Sequence, residues 1–215
     1  INAGDDVTET QFGGWVMEDA RQHGLNAGVD CIPATGLNAA DPHYAPIGNG
    51  ATFRKGDVVL LDLWGKEDED SVFADQTWMG FLGVQVPERI EKLFTIVRDA
   101  RDAAVRHIMT EWPKGRAVPG SELDDAARRV ITDAGYGAFF IHRTGHSIDR
   151  AIHGMGPNID NLETRETRVL IPRIGFSIEP GIYVPGDVGL RSEINVYISD
   201  TGPEVTTPGA QESML

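Results

Sequence analysis

Apolar and polar positions repeat with two different periods along this 215-residue chain, and the changes of period mark out its elements. Val58-Val59-Leu60-Leu61-Asp62-Leu63 is a β-rich apolar run, Lys66 to Asp70 a solvated acidic turn, and Ser71 to Met79 a second strand with Val, Phe, Thr and Trp. Phe176-Ser177-Ile178-Glu179 and Leu190 to Ile198 form a comparable pair about the turn signal Pro185-Gly186. Between these hairpins the period lengthens to that of a helix. Pro87 opens one helix with Ile90, Leu93, Phe94, Val97, Ala104 and Ile108 on a stripe, and Pro113 stops it. Ser121-x-x-Asp124 opens another, with Leu123, Ala126, Ala127, Val130 and Ile131 on one face and Gly135 at its end. An earlier helix starts at the weak capping box Thr8-x-x-Gln11 and runs to about His23. Cys31 to Ala51 reads as irregular, Ala138 to Ile141 as a strand, Asp160 to Arg168 as a polar loop, and the tail from Thr206 as frayed. The succession of hairpin, helices and hairpin predicts one α+β domain over residues 1–215. Its antiparallel sheet carries helices on one face and a cleft on the other.

Each hairpin carries two carboxylates. Folded about its acidic turn, the first sets Asp62 opposite Asp75; folded about Gly186, the second sets Glu179 opposite Glu193. Opposed side chains on one face of an antiparallel pair lie roughly 4.5–5.5 Å apart, and like charges there repel. Two divalent ions about 3.5–4 Å apart would reverse the sign of both interactions. The lone Gly145-His146 between the hairpins adds an imidazole, and four hard oxygens with one imidazole suit Mn(II), Fe(II), Co(II) or Zn(II). Arg191 alternates onto the same strand face as Glu193, placed to hold a substrate carboxylate or to buttress that glutamate. His23 and His107 read as helix filler.

Charge narrows the classes. Lys and Arg number 19 against 33 Asp and Glu, a net charge of −14 that repels nucleic acid and anionic membrane. Cys31 is the only cysteine, so no intramolecular disulfide forms, and no run approaches the ~18 apolar residues of a membrane span. A cytoplasmic location is expected. The start at Ile1-Asn2-Ala3-Gly4, close to a helix, suggests a piece of a longer polypeptide whose preceding domain carries oligomer contacts and part of the substrate pocket.

Five separated motifs resemble the pita-bread metallopeptidases, the group of methionine aminopeptidase, aminopeptidase P, prolidase and creatinase. They are Gly56 to Asp62, Ala74-Asp75-Gln76-Thr77, His142-Arg143-Thr144-Gly145-His146 with His153, Ile178 to Tyr183, and Gly189-Leu190-Arg191-Ser192-Glu193. Their wording is most similar to the Xaa-Pro branch, aminopeptidase P and prolidase. The resemblance implies a pseudo-twofold antiparallel sheet with helices outside and a dinuclear metal cleft. It implies that Asp62 chelates one metal, Asp75 and Glu193 bridge both, and His146 and Glu179 complete the other, with Mn(II) the first choice. A hydroxide between the metals would attack the scissile carbonyl and Glu179 would shuttle its proton to the leaving nitrogen. His153 would donate to the oxyanion, and His43 would contact substrate near the scissile bond, with His142 and Arg191 as further substrate contacts. The implied activity is hydrolysis of the bond between an N-terminal residue and proline in a short peptide, by a chain that forms a homodimer in its full-length state.

The departures bear on specificity. The stretch from Asp62 to Asp75 is two residues longer than is common in the family, Gly154 follows His153 in place of Glu, Ile194 follows Glu193 in place of an acid, and Gln76-Thr77-Trp78 replaces Ile-Thr-Arg. Two alternatives stay open: a same-fold hydrolase or lyase acting on a small carboxylated substrate, and a non-catalytic peptide-binding module.

Overall fold

The computed structural model describes residues 6–26 and 31–215. The Ile1 to Gly4 start, on which the expectation of a preceding domain rests, lies outside the described residues.

Thr8 and Gln11 close the capping box reciprocally, through Gln11 N to Thr8 Oγ1 (3.3 Å) and Thr8 N to Gln11 Oε1 (3.0 Å), and α1 runs Glu9–Gln22. The stretch expected to be irregular instead contains β1 (Ile32–Thr35) and a 3₁₀ turn (Gly36–Ala40). β1 pairs antiparallel with β2 (Val58–Gly65), and lying at the sheet edge it can hold Pro33 without losing a ladder bond. β2 pairs in turn with β3 (Ala74–Phe81). Their register corrects the expected opposition: Asp62 faces Thr77, and Asp75 faces Trp64. Asp68 Oδ1 accepts from the backbone of Asp70 (2.9 Å) and Ser71 (2.8 Å), which carries the turn past Asp70 and moves its centre along the chain. The resulting slip is two residues, so both aspartates keep the same face and lie on a diagonal.

α2 (Glu88–Glu111) and α3 (Gly120–Asp133) bury their apolar stripes, Leu93, Phe94, Val97 and Ala104 from one and Leu123, Ala127 and Ile131 from the other, in a core shared with Leu60, Met79, Phe176 and Leu190. α3 starts one residue before its expected cap, with the extended Pro119 at the N-cap, and Ser121 lies inside the first turn. No strand forms at Ala138 to Ile141. A 3₁₀ turn covers Gly137–Phe139, and the carbonyls of Phe140 and His142 go to the Arg128 guanidinium at 2.9 Å rather than to a ladder.

A second sheet is ordered β4 (Ser147–Ile148), β5 (Gly175–Ile178), β8 (Ile194–Ser199), β9 (Gly202–Val205), while β6 (Gly181–Val184) and β7 (Val188–Arg191) make a separate ribbon. The single strand expected over Leu190 to Ile198 is therefore broken at Ser192-Glu193. The free edge of β3 finds partners outside its own sheet. Asn195 bonds both backbone groups of Asp75 (2.8 and 2.7 Å), Gln211 bonds both of Met79 (2.8 and 2.6 Å), and Leu215 O accepts from Phe81 N (2.9 Å). The tail expected to fray is docked because an edge strand leaves backbone groups that need partners.

Candidate metal centre

Both ladders beside the second carboxylate pair keep one register, Ile178 opposite Ile194 and Gly181 opposite Arg191, which carries Glu179 and Glu193 to opposite sides of the break. Ser192 N donates to Pro180 O within it (3.3 Å). His146 arrives from the loop before β4. That loop is held by Asp124 on α3, whose Oδ1 accepts from Thr144 N (2.9 Å) and Thr144 Oγ1 (2.7 Å). Thr144 O accepts from Glu179 N (2.7 Å), and a Cβ on Gly145 would meet Ser177 O at 2.0 Å, so only glycine lets the loop lie this close to β5.

The structure brings Asp62, Asp75, His146, Glu179 and Glu193 to one cleft of 350 Å³. Donor atoms of Asp75, His146 and Glu193 all lie within 4.8 Å of one another. His146 Nδ1 faces Ser147 O (3.1 Å) and so carries the hydrogen, leaving Nε2 turned to Asp75 Oδ2 (3.3 Å) and Glu179 Oε1 (3.4 Å). Ser177 Oγ donates to Glu179 Oε1 (3.0 Å), Thr77 Oγ1 to Glu193 Oε2 (2.7 Å), and Arg191 Nη2 to Asp62 Oδ2. The remaining oxygens of two buried acids, Asp62 Oδ1 and Glu193 Oε1, have no hydrogen-bond partner among the described residues. A buried carboxylate oxygen without a donor is costly, and divalent cations fit such a donor set.

The electrostatics agree. Burial, opposed by Arg191 and reinforced by Asp75 and Glu179, pushes Asp62 up to about 7. Burial and the charges of Asp75, Glu179 and Asp62 raise Glu193 far above the carboxylate range, and burial likewise raises Asp75. Burial works against the His146 imidazolium, but the bond to Asp75 and the charge of Glu179 outweigh it and hold His146 above its ordinary value.

The other candidates lie round this cluster. The ring of His153 is 4.5 Å from that of His146, nearly edge-on at 83°. His43 is exposed on the cleft wall, its N–H held by Asp41 Oδ1 (3.0 Å). His142 is buried: Nδ1 donates to Arg143 O (2.6 Å), Nε2 accepts from the Tyr183 hydroxyl (2.9 Å), and burial lowers its pKa to about 4, so it is neutral at pH 7. Arg191 is buried behind the acids. Besides Asp62 it reaches Thr77 Oγ1 (2.8 Å) and Pro42 O (3.4 Å), which makes it a brace joining both hairpins to the His43 loop.

The sequence model of metallopeptidase family M24 matches residues 2–200. The chain belongs to this family. It is 37% identical over 172 residues to the Xaa-Pro dipeptidase of Lactobacillus delbrueckii subsp. lactis, covering 79% of this chain and 42% of that one. A prolidase structure from Thermococcus sibiricus superposes with a TM-score of 0.85 at 29% identity, covering 97% of this chain and 53% of that one. The Xaa-Pro dipeptidase structure from Bacillus anthracis gives 0.82 at 30%, covering 97% and 55%. The M24 chain thus has the pita-bread fold of these proteins, and it spans about half the length of the curated relatives it matches. Among the described residues, no helix is long and apolar enough to cross a membrane.

Sequence reasoning missed several residues that position the M24 centre: Thr77 between Arg191 and Glu193, Ser177 on Glu179, Asn195 on the Asp75 backbone, Tyr183 on His142, and Asp124 beneath Thr144. Thr77 and Tyr183 stood within quoted motifs but without a role, and Asp124 was marked as the acid of a helix-start pattern, which pointed to the wrong duty. Trp64 was also passed over; it lines the cleft and its buried Nε1 has no acceptor among the described residues.

Proposed function

We propose that this chain is the catalytic half of an Xaa-Pro peptidase, cleaving between an N-terminal residue and proline in a short peptide. The observation that carries the proposal is the convergence of four acids and one histidine, two of the acids with unpartnered buried oxygens. The Xaa-Pro dipeptidase at 37% identity points to the same substrate class. Asp62, Asp75, His146, Glu179 and Glu193 would hold two divalent ions, Mn(II) first among them. Bound there, such ions supply Lewis-acid polarisation of the scissile carbonyl and acidify water to a usable nucleophile at neutral pH.

The chain's own groups do the rest. Glu179, oriented by Ser177, takes the proton from the attacking water and delivers it to the proline nitrogen, which has no N–H of its own in the peptide. His153 donates to the carbonyl oxygen as charge develops there. His43 contacts substrate from the wall, while His142, buttoned to Tyr183, and Arg191 hold the surrounding groups in place. The proposal extends to a homodimer and a cytoplasmic location for the full-length protein.

The test is hydrolysis of Ala-Pro, Ala-Pro-Ala, Met-Ala-Ser and creatine by chelator-stripped full-length protein, with and without Mn(II), and with Glu179→Ala as the blank. Metal-dependent cleavage confined to Xaa-Pro peptides is expected. Turnover of creatine alone, or no metal binding at all, refutes the proposal.

A further inference from the structure

The acidic turn from Lys66 to Asp70 has no part in the chemistry proposed above, yet it lies against the loop of a side chain that has no tether of its own. The His153 ring is exposed on the cleft wall and makes no hydrogen bond with any described residue; it meets the His146 ring at 4.5 Å between centroids. A misplacement of about 1 Å costs a reacting group up to about 10²-fold in rate. His153 therefore depends on the backbone of its loop to place it.

That loop, residues 149–156, is tied on two sides. On the inner side Gly154 N donates to Ser147 O (2.6 Å) and Gly156 N to Ser147 Oγ (3.0 Å), while the Asp149 carboxylate accepts from Ala151 N (2.7 Å) and Met155 N (3.2 Å). The outer side rests on the first hairpin. Phe73 N donates to Asp149 O (3.0 Å), and Lys66 Nζ donates both to Arg150 O and to Glu69 O (3.0 Å each). The base of the Lys66 side chain is fixed, because its backbone N–H and carbonyl both pair with Asn26 (3.0 and 2.6 Å), and its ammonium lies 4.9 Å over the Phe73 ring. Bonds from a charged donor are stronger than neutral ones, so Lys66 carries more of this contact than an ordinary surface side chain would. A third link, Arg150 to Asp70 (2.9 Å), joins two exposed side chains and is worth little in water.

We propose that Lys66 is a positioning residue for His153, with the acidic turn as a strap that holds loop 149–156 against the cleft. The inference rests on the peptidase reading above, in which His153 donates to the carbonyl oxygen.

Metal-reconstituted full-length protein is assayed with Ala-Pro as wild type, Lys66→Met, Lys66→Arg and Asp70→Asn, after melting curves and metal contents show that each is folded and loaded. Lys66→Met keeps the stem and deletes both bonds; it is expected to lower kcat by about 10- to 100-fold with KM within about twofold. Lys66→Arg recovers most of the loss, since a guanidinium also offers donors to two carbonyls, and Asp70→Asn changes kcat by less than about twofold. The deciding comparison repeats Lys66→Met in a His153→Ala background. Its further cost is expected to shrink to less than about twofold there, because the group it positions is gone. The same fold loss with and without His153, or a loss confined to KM, overturns the proposal. Hydrogen exchange reads the strap without turnover: the amides of residues 151–156 are expected to exchange at least about tenfold faster in Lys66→Met than in wild type. If wild type cleaves no Xaa-Pro peptide, the peptidase reading fails while that exchange difference still supports the strap; unchanged exchange overturns the strap at any level of activity.

Discussion

Thr77 ties the first hairpin to the second. Its hydroxyl accepts from Arg191 Nε and donates to Glu193 Oε2, and through Arg191 the same chain of bonds reaches Asp62. Because it lies opposite Asp62 with its side chain on the acid-bearing face, it fixes which way Glu193 presents its unpartnered oxygen. Thr77→Val keeps the shape of the side chain and deletes both bonds. It is expected to weaken divalent-ion affinity by about 10- to 100-fold while the protein stays folded, since such outer partners are typically worth that much. Competition with a chromophoric chelator reads the affinity; an unchanged value would show that Glu193 is oriented by something else. The sequence places Thr77 in a motif beside Asp75 but gives it no duty, because its two partners lie more than 100 residues away in the chain.

At the scale of elements, two acids hold the loop at residues 160–168: Asp160 accepts from the backbone N–H groups of Leu162, Glu163 and Thr164, and Glu166 closes its other end. Glu166 Oε1 accepts from Arg168 N (2.9 Å) and Nε (3.0 Å), Oε2 from Asn158 N (3.1 Å), and Glu166 O from Ser121 N at the start of α3 (3.1 Å). The Arg168 bonds, against some burial, hold Glu166 down at about 2. A depressed carboxylate stabilises the fold above its unfolded pKa, about 4.3, and loses that contribution as pH falls toward the folded value. Wild type should therefore exceed Glu166→Gln by about 1–2 kcal/mol near neutrality, a figure reduced because Arg168 is half exposed and screened. The gap should narrow below about pH 4.3. Urea unfolding of both proteins from pH 7 to pH 3 measures it, and a gap independent of pH contradicts the assignment. The polar composition of 160–168 reads correctly as a loop, but its anchoring to α3 depends on partners 40 residues and more away.

At the scale of the whole molecule, the cluster works against the fold when empty of cations. Burial raises Asp62, Asp75 and Glu193, and the charge of Glu179 adds to the shift of each, which favours their protonated forms. Divalent ions compete with those protons. Binding is expected to release protons and to tighten as pH rises from 6 to 8, because less of the protein then has to be deprotonated first. Saturating ion at about 100 times Kd adds ~2.7 kcal/mol to stability, which chelator removes. Calorimetry in two buffers of different ionisation enthalpy counts the protons, and a melting scan with and without chelator reads the stability; no released protons would mean that the acids are already ionised.

The sequence by itself determined the α+β class, the three helices, the two hairpins and the residues of the acid and histidine cluster, because these are written in local periods, turn chemistry and motif spacing. It also settled the register of the second hairpin, where the Pro185-Gly186 turn leaves one way to fold. Tertiary structure alone decided the rest. The first hairpin slipped by two residues because Asp68 extended its turn, and the tail docked because β3 had an edge to satisfy. Arg191 became a brace because partners distant in the chain, Asp62 and Thr77, came within its reach. A side chain's free donors are whatever its neighbours leave unused, and those neighbours are chosen by the fold.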